Sequence, residues 1–420
     1  MIHTPFRVRA GGERQILRLA IELQKKGNEV EIFTNSVNWD TYPEFFNQVK
    51  ITVVPFPLTG KLPSKLIPQI WKNKIQAPRD PKVRGISKYT QLMDRARQRI
   101  LSQYYISLLP PMIDLARKIP KRFDIVNNHN FPTEWAAFAA KARLKVPAVW
   151  MCNEPPHWFL YPEIRTGLAN ISWPLFEILD KRSVNYIDDI MVLSHVSEKY
   201  VRRVYGRSSR IVRTGVDVDF FHSASGENLR KKFGLEGSFV MLSVGGSKYI
   251  DRKAAIRTLA ILSKRYRNLK LIIDTPREAE TLKLLSEKLN VRNQIILLNS
   301  QSDSELAEVY AASDVFLYPA SVSTWGLVVT EAMAAAKPVI VPKEVGTAEI
   351  IKNNENGLII DKATPTEMAE QVEKLIDDFK LRKDIGEKAY QYAKNYLSWE
   401  KYADTVEGVF EETLKRSKIN

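Results

Sequence analysis

The chain is 420 residues long, 44% hydrophobic and 26% charged, so it is globular with core enough for about two or three domains. Its 63 Lys and Arg against 48 Asp and Glu leave a net charge of +15, and a single cysteine, Cys152, excludes an internal disulfide framework and suits a reducing cytosol. No run of 18 apolar residues occurs, so no membrane-spanning helix is expected, and the first residues lack a signal peptide's apolar core.

Ile2 to Phe6 read as the end of a short strand, followed by a glycine turn at Gly11-Gly12. Ile16, Leu17, Ala20 and Leu23 recur at helical spacing, Gly27 stands at the stop position, and Val30 to Thr34 form the next strand. Few residues precede His3, so this strand is either clipped or begins upstream. From residue 61 to 100 there are eleven Lys or Arg and two Asp, a net +9 that is more than half of the whole excess. Leu66, Ile70, Trp71 and Tyr89 interleave with those cations and four prolines break the stretch. It reads either as a solvated insertion, about residues 60 to 110, or as a patch for an anionic membrane surface. No zinc-finger, aromatic RNA-binding or basic-zipper signature supports nucleic acid as a partner.

Asp124 to Asn130 is a strand with a polar cluster at its carboxyl end, where open α/β sheets bind ligands; His129 is the candidate there. Val149 to Cys152 and Ile190 to Ser194 are further buried strands, the first running into a turn that carries Glu154. Asp217-Val218-Asp219 has the form of a metal motif, but its place in an interdomain segment makes it structural. Phe239 to Gly246 is a strand entering a glycine turn, with Lys248, Arg252 and Lys253 after it. Gly-x-Gly-x-x-Gly is absent, which argues against a dinucleotide redox enzyme. Asp303 to Ala312 has helical spacing, Val315 to Pro319 and Pro338 to Val341 are buried strands, and a turn and short helix join those two strands. Gly326 lets the backbone approach a ligand at the helix start, with Leu327 after it a further donor-binding candidate, and the free N–H groups of the first turn form an anion site. Glu331 lies about one turn further on, placed to accept hydrogen bonds from sugar hydroxyls. Beyond Ser398, residues Trp399, Tyr402, Val406, Val409, Phe410 and Leu414 mark an amphipathic helix.

The stretch Ser323 to Pro342, reading S-T-W-G-L-V-V-T-E-A-M-A-A-A-K-P-V-I-V-P, resembles the donor site of the family 4 retaining glycosyltransferases. That resemblance spans residues 1 to about 410 and implies a GT-B fold: two Rossmann-like α/β domains facing across a cleft. The domains are expected at 1–205 (acceptor side) and 206–388 (donor side), with 389–420 a terminal helix returning to the first. In the family, two glutamates eight positions apart contact the donor hexose and the ribose. Here those positions hold Ser323 and Glu331. Ser323 is open to two readings, a neutral donor contact or an N-cap of the helix.

Gly11 and Gly12 match the family's phosphate-approaching loop, and His129 keeps the second histidine of its H-x-H motif, Asn127 replacing the first. The family's Gly-Arg turn reads Gly245-Gly246 here, so Arg252 and Lys253 are the candidate diphosphate cations. The resemblance implies transfer of a hexose, of mannose or glucose type, from a UDP- or GDP-sugar to a glycan or lipid-linked acceptor. The anomeric configuration is retained, and no metal and no cofactor are expected. A cytoplasmic protein is expected, peripheral at the membrane face if the basic stretch binds lipid. Two rivals stand beside this: a binding or regulatory protein on the same fold, and a soluble glycan- or sucrose-synthase type enzyme.

Overall fold

The computed structural model describes residues 1–6, 9–55, 109–160, 169–245, 249–274, 278–299 and 301–419. The basic stretch 61–100, with Leu66, Ile70, Trp71 and Tyr89, lies outside the described residues, as do Gly246 and Lys248. Among the described residues no helix is long and apolar enough to cross a membrane.

The chain divides into two compact units, each built on a parallel sheet with helical crossovers. In the first, β1 (Glu31–Thr34) pairs in parallel with β2 (Lys50–Val53). The strands β3 (Val126–His129), β4 (Ala148–Met151), β5 (Asp189–Val192) and β6 (Arg210–Ile211) follow side by side. Ile2 joins the two groups by parallel bridges to Phe33 and Asn128. The short opening segment is therefore central: Ile2 N–H donates to Asn127 O at 2.8 Å and His129 N–H to Ile2 O at 3.0 Å. All four residues of β1, β3, β4 and β5 are buried, as parallel strands covered on both faces must be. Helix Gly11–Lys25 crosses from the opening segment to β1 and buries Ile16, Leu17, Ala20 and Leu23, the spacing read from the sequence.

The second unit carries β7 (Phe239–Ser243), β8 (Leu269–Asp274), β9 (Ile295–Leu298), β10 (Val315–Leu317), β11 (Val339–Pro342) and β12 (Leu358–Ile360). Their order is β12-β11-β10-β7-β8-β9, and all the pairings are parallel. One core on this sheet joins Met241, Leu271, Val315 and Ile340 to Ile256, Leu259, Met368 and Val372 of the helices. Successive crossovers go one way from β7 and the opposite way from β10, so the chain's direction of winding switches between those neighbours. Such a switch opens a crevice at the carboxyl ends of the strands.

The two units interleave along the chain. Val192–Lys199 group with the second unit, as do residues up to Val406, and only Glu407–Asn420 group with the first. The N–H groups of His195 and Val196 donate to the Glu349 carboxylate at 3.1 and 3.2 Å, and Val216 N–H donates to Leu397 O at 2.7 Å. The end of helix Trp399–Ile419 is tied by polar contacts instead: Thr413 Oγ1 and Arg416 donate to Asp189, and Asn28 to Glu407.

Two fully buried carboxyls, Glu134 and Asp180, face each other in the first unit. Trp135 Nε1 and Tyr205 Oη donate to Asp180 at 3.0 and 2.9 Å, whereas Glu134 is bonded to Asp180 and to its own backbone N–H. Burial pushes Asp180 up to about 6, and burial plus the Asp180 charge pushes Glu134 well above the usual carboxylate range. The folded state thus holds protons that the unfolded state releases near pH 4, so stability falls as pH rises from about 4. Glu134→Gln should remove most of that slope, its melting temperature gaining on the parent between pH 5 and pH 8. Parallel melting curves against pH would show that the pair does not titrate in this range.

Candidate functional site

The crevice between β7 and β10 is bounded by the loops leaving those strands, which are bonded to each other. Ile250 and Ala320 form an antiparallel bridge, and Asp251 N–H donates to Pro319 O at 2.7 Å. After β10 the chain runs through Ser323 to helix Leu327–Ala334. In that loop the carbonyls and N–H groups are segregated. The carbonyls of Ser323, Thr324 and Trp325 accept from Gly346 N–H at 2.9 Å, Ser194 Oγ at 2.6 Å and Thr347 Oγ1 at 3.3 Å. The backbone N–H groups from Ser323 to Val328 find no acceptor among the described residues. Six consecutive unmet donors at a helix start make a cradle for an anion, because both the N–H groups and the helix dipole favour negative charge.

Gly326 makes the bend possible. It is the helix N-cap with φ +116°, and a Cβ there would sit 2.8 Å from Tyr318 Oη. Ser323 is therefore not the cap: it lies three residues upstream, and its hydroxyl accepts from Tyr318 Oη at 2.9 Å. Leu327 opens the helix. Glu331 is 5% exposed, and its Oε2 accepts from Tyr310 Oη at 2.9 Å; the same hydroxyl lies 3.1 Å from Val328 O. The carboxylate is thus held from beneath by a tyrosine on helix Asp303–Ala312.

The structure separates the two candidate cations. Arg252 begins helix Arg252–Leu262 and is 6% exposed; its guanidinium donates to Gly245 O and to Glu278 at 3.4 Å. Lys253, the next residue on the helix, is exposed. Asp251 caps this helix, accepting from Ala254 N–H at 3.1 Å, so its N-terminus already holds a carboxylate. Asp274, at the end of β8, is pushed up by burial against the opposing pull of Arg252.

In the first unit the corresponding switch lies between the opening segment and β3. Gly11 and Gly12 begin helix Gly11–Lys25 there, with Gly12 against the Asn130 and Asn153 amides. Asn153 Nδ2 donates to Gln15 Oε1 and to Asn130 Oδ1, both at 2.8 Å. Burial pushes the Glu13 carboxyl up to about 7 in the same first turn. His129 is fully buried: its Nε2 lies 2.7 Å from Asn127 Oδ1, and burial lowers its basicity well below the ordinary histidine value, leaving the ring neutral. The half-exposed position at this strand end belongs to Asn130, one residue on, with φ +61°. Among the described residues no group of three or more His, Cys, Asp or Glu is placed to hold a metal ion; Asp217 stands at the start of helix Val218–His222.

Residues 226–392 match the glycosyl transferases group 1 family, and residues 75–220 match glycosyltransferase family 4. The chain belongs to the family 4 glycosyltransferases. A relative from Corynebacterium glutamicum, named D-inositol 3-phosphate glycosyltransferase, is 26% identical over 59% of this chain and 60% of its own length. A Rhodococcus erythropolis protein of the same name is 23% identical over 98% of this chain and 88% of its own. Among solved structures, Anabaena HepE in complex with UDP-glucose superposes with a TM-score of 0.70 at 14% identity, covering 98% of this chain and 100% of that one. The fold is GT-B.

Sequence reasoning gave no role to Tyr310, Tyr318, Ser194 and Thr347 around the loop after β10, nor to Asn153 at the first unit's switch; no readable motif marks them. Tyr310→Phe should leave the buried Glu331 carboxylate short of a donor and cost about 1–3 kcal/mol of stability in urea denaturation. A loss under roughly 0.5 kcal/mol would show that other donors hold Glu331 in place.

Proposed function

We propose that this chain is a retaining hexosyltransferase, moving mannose or glucose from a nucleoside-diphosphate sugar to a hydroxyl of a glycan or lipid-linked acceptor. The observation that carries this is the unmet N–H run from Ser323 to Val328 with Glu331 one turn beyond. A diphosphate fits the N–H cradle, and a ribose beside it can donate its hydroxyls to the carboxylate. HepE, which shares the fold, is described in complex with UDP-glucose, which supports UDP over GDP as the first donor to test.

Transition-state charge in this reaction builds on the bridging oxygen between sugar and diphosphate. Fixed N–H donors aimed at that charge stabilise it at little reorganisation cost. Among the described residues no nucleophile–base pair stands at the cradle, and the reading is front-face attack: the acceptor oxygen bonds the anomeric carbon as the sugar–phosphate bond breaks. The departing phosphate takes the acceptor proton. Metal and cofactor are not needed in this scheme, because the backbone donors meet the diphosphate charge.

The net +9 of residues 61–100 supports an acceptor at the cytoplasmic membrane face, because each cation near an anionic surface contributes about 1 kcal/mol. Binding to anionic vesicles that fades with salt supports a lipid-linked acceptor; equal binding to neutral vesicles, or none, points to a soluble one. Ser323 at the hexose-side position favours a second reading, a donor-binding protein without transfer.

A thermal-shift panel of UDP- and GDP-sugars should raise the melting temperature of the parent chain, since a ligand bound only to the folded state stabilises it. Glu331→Ala should weaken nucleotide binding by about 1–3 kcal/mol in calorimetry. Unchanged affinity removes Glu331 from the donor site. Turnover should persist in excess chelator; loss that manganese or magnesium restores would overturn the metal-free scheme. Binding without transfer to any acceptor would favour the second reading.

A further inference from the structure

The segregation of carbonyls and N–H groups between Ser323 and Val328 has to be imposed from outside the loop. A loop has no ladder of its own, and water could take its carbonyls as readily as its N–H groups. All three carbonyls are instead bonded to groups that belong to two other segments. Gly346 and Thr347 lie in the 3-10 turn Gly346–Ile350, directly after β11. Ser194 follows β5 and is fully buried. Its Oγ donates to Thr324 O and is itself approached by Ser197 N–H at 3.2 Å, so its lone pair is used as well as its proton.

Both anchors are fixed in turn. Glu349, in the same 3-10 turn, accepts from the His195 and Val196 N–H groups, and Arg213 lies 3.7 Å from its carboxylate. Ser194 and Thr347 are thereby locked to each other through one carboxylate. Gly346 is packed against the same point: a Cβ there would fall 2.0 Å from Thr324 O and 2.7 Å from Ser194 Oγ. No side chain fits between anchor and loop.

We infer that Ser194 and Thr347 are positioning residues: with the Gly346 N–H they hold the Ser323–Trp325 carbonyls inward, so that the N–H groups face the diphosphate. This rests on the donor-site reading proposed above. Neither residue touches substrate. Each acts by denying the loop the conformations in which its carbonyls would turn toward the phosphate oxygens, where like partial charges repel.

The inference separates phosphate from nucleoside. UDP and uridine affinities would be measured on the full chain by calorimetry and by competition, with melting temperature alongside. Thr347→Val keeps the shape and removes the hydroxyl; Thr347→Ser keeps the hydroxyl. Ser194→Ala and Thr347→Val should each weaken UDP about fivefold to tenfold while uridine changes by less than about twofold. Thr347→Ser should return UDP affinity to within about twofold of the parent, and Gly346→Ala, which displaces Thr324 O, should weaken UDP at least as much as Ser194→Ala. If Ser194→Ala does not fold, the Thr347 pair carries the test alone. Parent-like UDP affinity in the variants, equal losses for UDP and uridine, or a Thr347→Ser protein as weak as Thr347→Val would each overturn the inference. If the parent chain binds none of UDP, GDP and ADP, the donor-site reading itself fails and this inference falls with it.

Discussion

Where the peptide groups of one short loop point sets what the second unit can bind. Between β10 and helix Leu327–Ala334 the carbonyls of Ser323, Thr324 and Trp325 are bonded to fixed donors, and the N–H groups from Ser323 to Val328 find no acceptor among the described residues. A buried unmet donor costs about as much as a lost hydrogen bond, so an arrangement of this kind persists where an anion or water completes it. The rest of the unit serves that geometry. The reversal of winding between β7 and β10 opens the space. Gly326, at φ +116°, turns the chain into the helix, and Tyr310 fixes the carboxylate one turn along.

The two switch points of the molecule are chemically unlike. In the second unit the helix start after β10 carries no acid in its first turn, and a carboxylate follows one turn later. In the first unit the switch is lined by neutral amides, Asn130, Asn153 and Gln15, with a carboxyl at Glu13 that burial pushes up to about 7. Neutral amides both donate and accept, which suits hydroxyl groups rather than a concentrated negative charge. His129 belongs to that neighbourhood without presenting itself: packed under the strand end against Asn127, it is a hydrogen-bonded core group in this structure. Arg252 is similar. Its side chain braces the Gly245 turn from within, so its contribution to an anion's environment is its charge and the backbone it shapes.

The fold was legible because its signals are local. Val315 to Leu317, Val339 to Pro342 and Phe239 to Ser243 are continuous apolar runs of the kind doubly covered parallel strands need, and all three are buried strands at those positions. The 3.6-residue spacing of Ile16, Leu17, Ala20 and Leu23 marks the buried face of one helix. The terminal helix was legible too, but its division between units was not. An apolar stripe specifies burial, whereas past Val406 the helix is held by polar ties, Thr413 to Asp189 and Glu407 to Asn28, that no spacing announces.

What the sequence determined by itself is therefore the parallel α/β architecture, a helix start close to Gly326, and the presence of Glu331 about one turn beyond. Each follows from residues within a few positions of one another, where backbone sterics and periodicity act directly. What only the tertiary structure decided is how those groups are used. Ser323 is excluded from the cap by Gly326 and engaged by Tyr318; Arg252 and Lys253, adjacent in sequence, are divided into a buried brace and an exposed cation. The donors that aim the loop come from Ser194 and Thr347, about 130 residues before it and about 20 after it. A hydrogen bond needs its partners within roughly 3 Å, and sequence separation carries no information about that distance once the chain has folded back on itself.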